Sequence, residues 1–288
     1  MLDLARPPQT VTALAIGERA HAALQGCGGM LDVIKGFETA PYRMAGGHVV
    51  WMGTRPRVNH PRAIVLAELP PGDIRRVKLA SPWPAPKRRP RLHAGDATAE
   101  KLAAAAEMIL GRIDAFGDVK GFGAVLRGQA LAFPLAEVFD KASEFAAACG
   151  AGDWTRAYPI GRGLLGVGEG LTPSGDDFVG GVLFALRLGA RGERAAQVET
   201  FANRVCEAAP TRTHIISATL LGDLSALRGY SLIDEVGLAA MDGSVSRVLT
   251  AGRTLVTLGH SSGWDLLTGF IAGATGKFEA PKPVKKRK

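Results

Sequence analysis

The chain has 288 residues, 47% of them hydrophobic, with 35 Lys and Arg against 27 Asp and Glu and a formal net charge of +8. That length suffices for one large domain or two modest ones with a real core, and no stretch supplies the ~18 or more apolar residues that crossing a bilayer requires, so no membrane partner is expected. The charge is local: Lys87, Arg88, Arg89 and Arg91 sit in one proline-rich segment and Lys282, Lys285, Lys286, Arg287 and Lys288 at the end, and without these nine there remain 26 basic against 27 acidic residues. The body of the protein has no basic face, and no nucleic-acid partner is expected.

Asp3, Arg6, Pro7 and Pro8 stand where a secretion signal needs its apolar run, which makes the cytoplasm the expected location. Cys27, Cys149 and Cys206 are odd in number and far apart, as expected of free thiols rather than a disulfide framework.

In chain order, Val11 to Ile16, His48 to Thr54 and Ala63 to Leu69 are short, apolar or β-branched and bounded by Gly or Pro, which predicts strands. Pro82, Pro84, Pro86 and Pro90 then predict a stiff linker or exposed loop, because proline continues neither ladder nor helix. Beyond it the period changes. Leu102, Ala106, Ile109, Leu110 and Ile113, and then Leu135, Val138, Phe139, Ala142, Phe145, Ala146 and Cys149, recur at helical spacing, so each set predicts a helix with one buried face. Between them, Ala124 to Leu126 and Ala130 to Phe133 flank Arg127-Gly-Gln129 and permit a short hairpin. Further helices are predicted over Phe178–Leu188, Glu193–Ala209, His214–Leu227, Val245–Val256 and Trp264–Ala272, and no internal repeat is visible.

The fold class expected is α+β: a small β-rich N-terminal unit over residues 1–95, a mainly helical ligand-binding domain over 96–276 with glycine-rich loops at helix N-termini, and a basic, disordered tail over 277–288.

The most unusual passage runs from Gly161 to Gly181, where glycine fills eight of twenty-one positions. So many glycines weaken a helix or strand, and the economical explanation is backbone that approaches a ligand. Thr172-Pro-Ser-Gly-Asp-Asp177 then opens a helix, with Ser174 as its expected N-cap. A helix start leaves amides unpaired and carries about half a positive charge, which suits phosphate or carboxylate. Gly168, Gly170, Thr172, Ser174 and Gly175 are therefore predicted to bind a small anionic substrate. Asp176 and Asp177, in the first turn, are predicted to meet a substrate proton or a divalent cation such as Mg²⁺; the bland alternative is a capped helix with an acidic first turn. No Gly-Lys-Ser/Thr follows the glycines and no βαβ unit frames them, so neither nucleotide-binding motif is present.

Two later passages share this logic. Gly259-His-Ser-Ser-Gly-Trp-Asp265 offers Ser261 and Ser262 as caps or ligand donors and His260 as a proton donor or acceptor. In Pro210-Thr-Arg-Thr-His-Ile-Ile-Ser217, Thr213 and Ser217 share a helix face, while Arg212 and His214 are candidate anion partners; otherwise Thr213 is a cap and Arg212 is solvated.

Together Gly166-Val-Gly-Glu-Gly-Leu-Thr-Pro-Ser-Gly-Asp-Asp177, Thr213 with Ser217, and Gly259 to Asp265 occur in the order seen in AllH-like proteins. The chain resembles that family closely over residues 160–272 and loosely before them. The resemblance implies a subunit of a carbamoyltransferase, in purine breakdown, that moves a carbamoyl group between oxamate and phosphate. In the breakdown direction this is phosphorolysis of oxalurate to oxamate and carbamoyl phosphate, with other protein subunits as partners. Asp176, Asp177 and His260 would then be catalytic, and Arg162, Arg212 or His260 would neutralise the anions.

Two alternatives stand beside it: a Mg²⁺-dependent phosphotransferase using Asp176 and Asp177, and a non-catalytic subunit that assembles a metabolic complex. Because the terminal charges lie apart from every candidate group, deleting residues 282–288 is expected to leave ligand affinity unchanged, measured by calorimetry on the full and shortened chains.

Overall fold

The computed structural model describes residues 7–54, 60–70, 76–84, 86 and 91–280. Asp3, Arg6, Lys87, Arg88, Arg89, Pro90 and the terminal basic residues from Lys282 lie outside the described residues. The chain divides into two compact units, Met1–Pro90 and Arg91–Lys288. The class is α+β, with a mixed seven-stranded sheet followed by a mainly helical region.

In the first unit β1 (Gln9–Val11), β2 (Ala13–Ile16), helix α1 (Glu18–Gly26), β3 (Met30–Val33), β4 (Tyr42–Ala45), β5 (His48–Gly53), β6 (Ala63–Leu66) and β7 (Arg76–Leu79) follow one another. The sheet order is β1-β7-β3-β4-β5-β6-β2. Its two end strands are consecutive in sequence with Thr12 alone between them, so one extended segment joins both edges and the sheet closes on itself. Closure removes the unpaired edges that an open sheet would leave. Leu31, Val50, Met52, Ile64, Leu66, Val77 and Leu79 fill the interior with Leu24 of α1. Val50 with Met52, Ile64 with Leu66 and Val77 with Leu79 show the two-residue period of side chains on one face. The predicted strand Val11–Ile16 is thus two short strands serving two neighbours, β1 parallel to β7 and β2 antiparallel to β6.

The second unit contains α2 (Ala99–Leu110), α3 (Phe139–Ala151), α4 (Trp154–Leu164), α5 (Ser174–Gly189), α6 (Gly192–Ala208), α7 (Ile215–Ser225), α8 (Ser231–Asp242), α9 (Val245–Leu255) and α10 (Ser262–Thr275). The hairpin predicted around Arg127-Gly-Gln129 is absent: Gly121–Arg127 is a 3-10 helix, and its buried Phe122, Val125 and Leu126 pack into the helical core. Gly161 and Gly163, read as part of a loop, belong to α4 instead. There Ala157, Gly161 and Leu164 form the buried stripe, and a Cβ at Gly161 would lie 2.6 Å from the Phe145 ring. That glycine admits an aromatic neighbour, not a ligand.

Helix α5 is at the centre, buried from Ser174 to Leu186, as expected of a helix apolar all round. Helix α10 lies against it, with the two backbones close enough to exclude side chains. A Cβ added to Gly181 would come 2.3 Å from the Leu266 carbonyl oxygen, and one added to Gly269 would come 2.1 Å from the Phe178 carbonyl oxygen. Gly269 meets Phe178 and Gly181 while Gly273, one turn on, meets Val182 and Ala185, so the helices run parallel, and Ser174 with Ser261 places their N-termini together. Forcing a methyl group between two backbones costs ~1–3 kcal/mol or more. Gly269→Ala is therefore expected to lower Tm sharply in thermal melts. Gly222→Ala, in α7 with nothing within 4 Å of the new Cβ, should raise it slightly by restoring up to ~1 kcal/mol of helix propensity.

Candidate functional site

The glycine-rich turn between α4 and α5 is held by the protein's own groups. Gly166, Gly168 and Gly170 have φ of 81°, 112° and 91°, which favours glycine at each. A Cβ at Gly166 would lie 2.3 Å from the Arg212 carbonyl oxygen, and one at Gly168 would lie 2.7 Å from the Ser174 amide nitrogen. The close approach that these glycines permit is to neighbouring backbone. Gly170 alone of the three has open space around it, and its carbonyl oxygen lies 3.3 Å from His214 Nε2.

Of the residues expected to meet an anion, Gly175 has its amide taken within the protein, as have the neighbouring Gly166, Asp176 and Asp177. Gly166 N donates to Asp176 Oδ1 at 2.7 Å, Gly175 N to the Val167 carbonyl at 2.8 Å, and the Asp176 and Asp177 amides to the Pro173 carbonyl at 2.9 and 3.2 Å. Helix α5 begins at Ser174 itself, with Pro173 in the cap position and no side-chain cap. Thr213 does not cap α7 either; His214 does, accepting from Ser217 N at 3.4 Å. Thr213 instead joins Ser217 in donating to Asp176 Oδ2, each at 2.5 Å. With three donors converging on it, buried Asp176 ties the turn to the start of α7.

Asp177 differs from its neighbour. It is 3% exposed, and its Oδ2 has no hydrogen-bond partner. Burial pushes its carboxyl well above the ordinary range, the charges of Asp265 and Asp176 add to the rise, and the Ser262 and Thr172 hydroxyls partly offset it.

Asp265, in the first turn of α10, is the counterpart of Asp177. It is 0% exposed. Its Oδ1 accepts from Phe122 N at 2.7 Å, and its Oδ2 has no partner. Burial pushes its carboxyl up to about 7 against the pull of the Phe122 amide and the Ser174 and Ser261 hydroxyls. Each carboxyl is thus influenced by a serine of the other helix. The two helix starts share a pattern, Ser174-Gly-Asp-Asp177 and Ser262-Gly-Trp-Asp265. In both, the glycine faces the end of the preceding helix, with a hypothetical Cβ 2.1 Å from the Leu164 or Leu255 carbonyl oxygen. In both, its amide bonds a carbonyl three residues beyond that leucine, Val167 or Leu258.

Around the two carboxyls stand Thr172, half-buried and 2.7 Å from Ser262 through their hydroxyls, and Ser174, 3.5 Å from Ser261. His260 is exposed, with Nδ1 3.5 Å from Lys120 Nζ. Arg212 and Arg162 are also exposed. The paired helix starts therefore bring together Thr172, Ser174, Asp177, Ser261 and Ser262. Asp176, Gly166, Thr213 and Ser217 form an adjoining brace.

Sequence reasoning missed Asp265, Lys120 and Gly121, whose added Cβ would meet Asp265 Oδ1 at 2.1 Å. The repeated Ser-Gly-x-Asp was the available signal for the first; nothing in the sequence marks the other two. Among the described residues no group of three or more His, Cys, Asp or Glu is arranged to hold a metal ion, and no helix is long and apolar enough to cross a membrane.

The linkage sign follows from the raised Asp265 carboxyl. Its stabilising effect is complete below the unfolded value of 3.8 and is lost as pH rises through about 7. Ionising near 7 instead of 3.8 corresponds to a cost on the order of 4 kcal/mol. Tm of the native chain should fall between pH 4 and 8, and Asp265→Asn should flatten that slope in parallel melts; an unchanged slope would contradict the assignment.

Residues 164–274 match the family model described as oxamate carbamoyltransferase subunit AllH. That span contains both helix starts and the Thr213–Ser217 brace. No curated protein and no solved structure gives a significant match to the chain.

Proposed function

We propose, from the AllH-family membership of residues 164–274, that the chain is a subunit of a carbamoyl-transferring enzyme whose ligand end lies where α5 and α10 begin together. The carrying observation is that two buried carboxyls with unpaired oxygens, Asp177 and Asp265, sit beside partly accessible hydroxyls inside the family-matched span. Every ligand of carbamoyl exchange between oxamate or oxalurate and phosphate or carbamoyl phosphate is a small anion with an amide or acyl-phosphate group. Thr172, Ser261 and Ser262 supply neutral donors, and Lys120 with His260 supplies positive charge beside them. The two converging helix N-termini add a favourable field for an anion.

Within this reading Asp177 and Asp265 handle the substrate's N–H groups and protons. Asp176, with its oxygens committed to Gly166, Thr213 and Ser217, is a positioning residue. Carbamoyl transfer to phosphate needs a proton delivered to the departing amide nitrogen and one removed from the attacking phosphate. Neighbouring carboxyls that share one proton can serve both ends, and such assistance is worth ~10²–10⁴-fold. The subunit description implies further chains in the working enzyme.

The test is phosphate-dependent release of oxamate from oxalurate by the enzyme assembled with its other subunits. Asp177→Asn keeps the shape and removes the charge. It is expected to cut turnover by ~100-fold or more with assembly intact by size-exclusion chromatography. Full turnover by the assembled variant would favour a purely structural role for the chain.

A further inference from the structure

Arginines over much of the helical unit are engaged by the protein itself. Arg127, Arg156, Arg187 and Arg247 pair with Asp114, Glu144, Glu199 and Asp242, and Arg112, Arg191 and Arg194 donate to backbone carbonyls. Arg162, Arg204 and Arg212 differ. All three are exposed, and among the described residues none has an ion pair or a side-chain hydrogen bond. Glu169 and Glu207, the acids that follow Arg162 and Arg204 in sequence, are exposed and likewise form no ion pair there.

The three arginines share one surface, because α4 and α6 lie side by side and run in the same direction. Trp154 at the start of α4 donates from Nε1 to Gln197 at 3.3 Å and lies 5.0 Å from the Phe201 ring. One turn on, the Arg204 guanidinium covers the Tyr158 ring, 4.2 Å from its centroid. Past the end of α4, Gly166 faces the Arg212 carbonyl. Arg162 follows Tyr158 by four residues and so shares its side of α4, between the levels of Arg204 and Arg212. The stripe extends over roughly two helical turns, on the order of 10 Å. At its far end it borders the glycine-rich turn and Ile215, which is 47% exposed.

We propose that this arginine face is an interface between subunits, and that its occupant is an acidic surface of another chain of the enzyme. Arginine and tyrosine beside an exposed aliphatic side chain are the composition of protein interfaces, from which lysine is depleted. No lysine occurs between Trp154 and Ile215. Carboxylates fit the guanidinium fork, and stacking on Tyr158 holds Arg204 in place with its N–H edges free to meet them. The stripe is too long for one small anion to bridge. Nucleic acid needs a broad basic face, whereas the chain without its two basic clusters has 26 basic against 27 acidic residues. A partner seated here would lie against the glycine-rich turn and so beside the proposed ligand end. The inference goes beyond carbamoyl transfer and shares with that reading only the subunit description.

The enzyme assembled from its subunits provides the test. Arg162→Glu combined with Arg204→Glu, checked for native melting, should weaken association with the other subunits at least ~30-fold in analytical ultracentrifugation. Arg112→Glu, the same reversal at an exposed arginine after α2, should leave association unchanged. Arg162→Lys and Arg204→Lys keep the charge and supply an amine. A carbodiimide then joins that amine to an adjacent carboxylate as an amide, itself taking up the water released. Mass spectrometry of the treated complex should find each introduced amine linked to an Asp or Glu of another subunit. Undiminished association of the folded double reversal, an equal loss with Arg112→Glu, or nucleic acid released by the reversals would overturn the proposal. So would linkage confined to this chain or its copies, or no linkage at all. If the double reversal does not fold, the linkages decide alone. Normal assembly and turnover of the reversed chain would remove the interface and leave carbamoyl transfer standing. The expected linkages in a complex inactive on oxalurate would do the opposite.

Discussion

The contact of α5 with α10 through Gly181 and Gly269 is the constraint from which the rest of the site follows. Side-chain-free positions let two central helices touch backbone to backbone, and because the helices are parallel, their N-termini lie together, with Thr172 2.7 Å from Ser262 and Ser174 3.5 Å from Ser261. The helix dipoles favour ionised carboxylates there, by ~0.3–1 kcal/mol and at most ~2 kcal/mol. Burial acts in the opposite direction and outweighs the Phe122 amide and the Ser174 and Ser261 hydroxyls, so that Asp265 is pushed up to about 7. Packing that the sequence pays for in glycine thus sets the protonation of two acids.

The same glycines show where inference from composition reaches its limit. Their density between Gly161 and Gly181 marks this passage as unusual, and the passage does adjoin the candidate site. The reason differs position by position. Gly161 faces Phe145, Gly166 the Arg212 carbonyl, Gly168 the Ser174 amide, Gly175 the Leu164 carbonyl and Gly181 the Leu266 carbonyl. Close approach was the correct physical demand, but the partner in each case is protein.

Long periodic segments were legible. Helices α2, α3, α5, α6, α7, α9 and α10 lie where apolar spacing predicts them, and strands β5 and β6 stand within bounded apolar runs. Helix α4 was hidden because Pro159, Gly161 and Gly163 are helix-breaking types and only tertiary packing holds them helical. Strands β3, β4 and β7 carry Asp32, Arg43, and Arg76 with Lys78, so they present no apolar run of the kind that marks β6. Closure of the sheet depends on which strands the segment around Thr12 pairs with, a long-range fact with no local trace. Asp265 could have been found, because Ser262-Gly-Trp-Asp265 echoes Ser174-Gly-Asp-Asp177; the repeat is four residues long and escapes any search for longer periods. Lys120 and Gly121 reach the site through a 3-10 segment that periodicity cannot foresee.

Two buried aspartates on separate helices, whose starts are brought together by backbone contact, are held partly protonated at neutral pH. Infrared spectroscopy of the full chain labelled with ¹³C-carboxyl aspartate reads this directly. At pH 6 the account expects an isotope-shifted band of a protonated carboxyl group that weakens in Asp265→Asn and is absent when Asp177 is replaced as well. A spectrum with only ionised aspartate at that pH would contradict it.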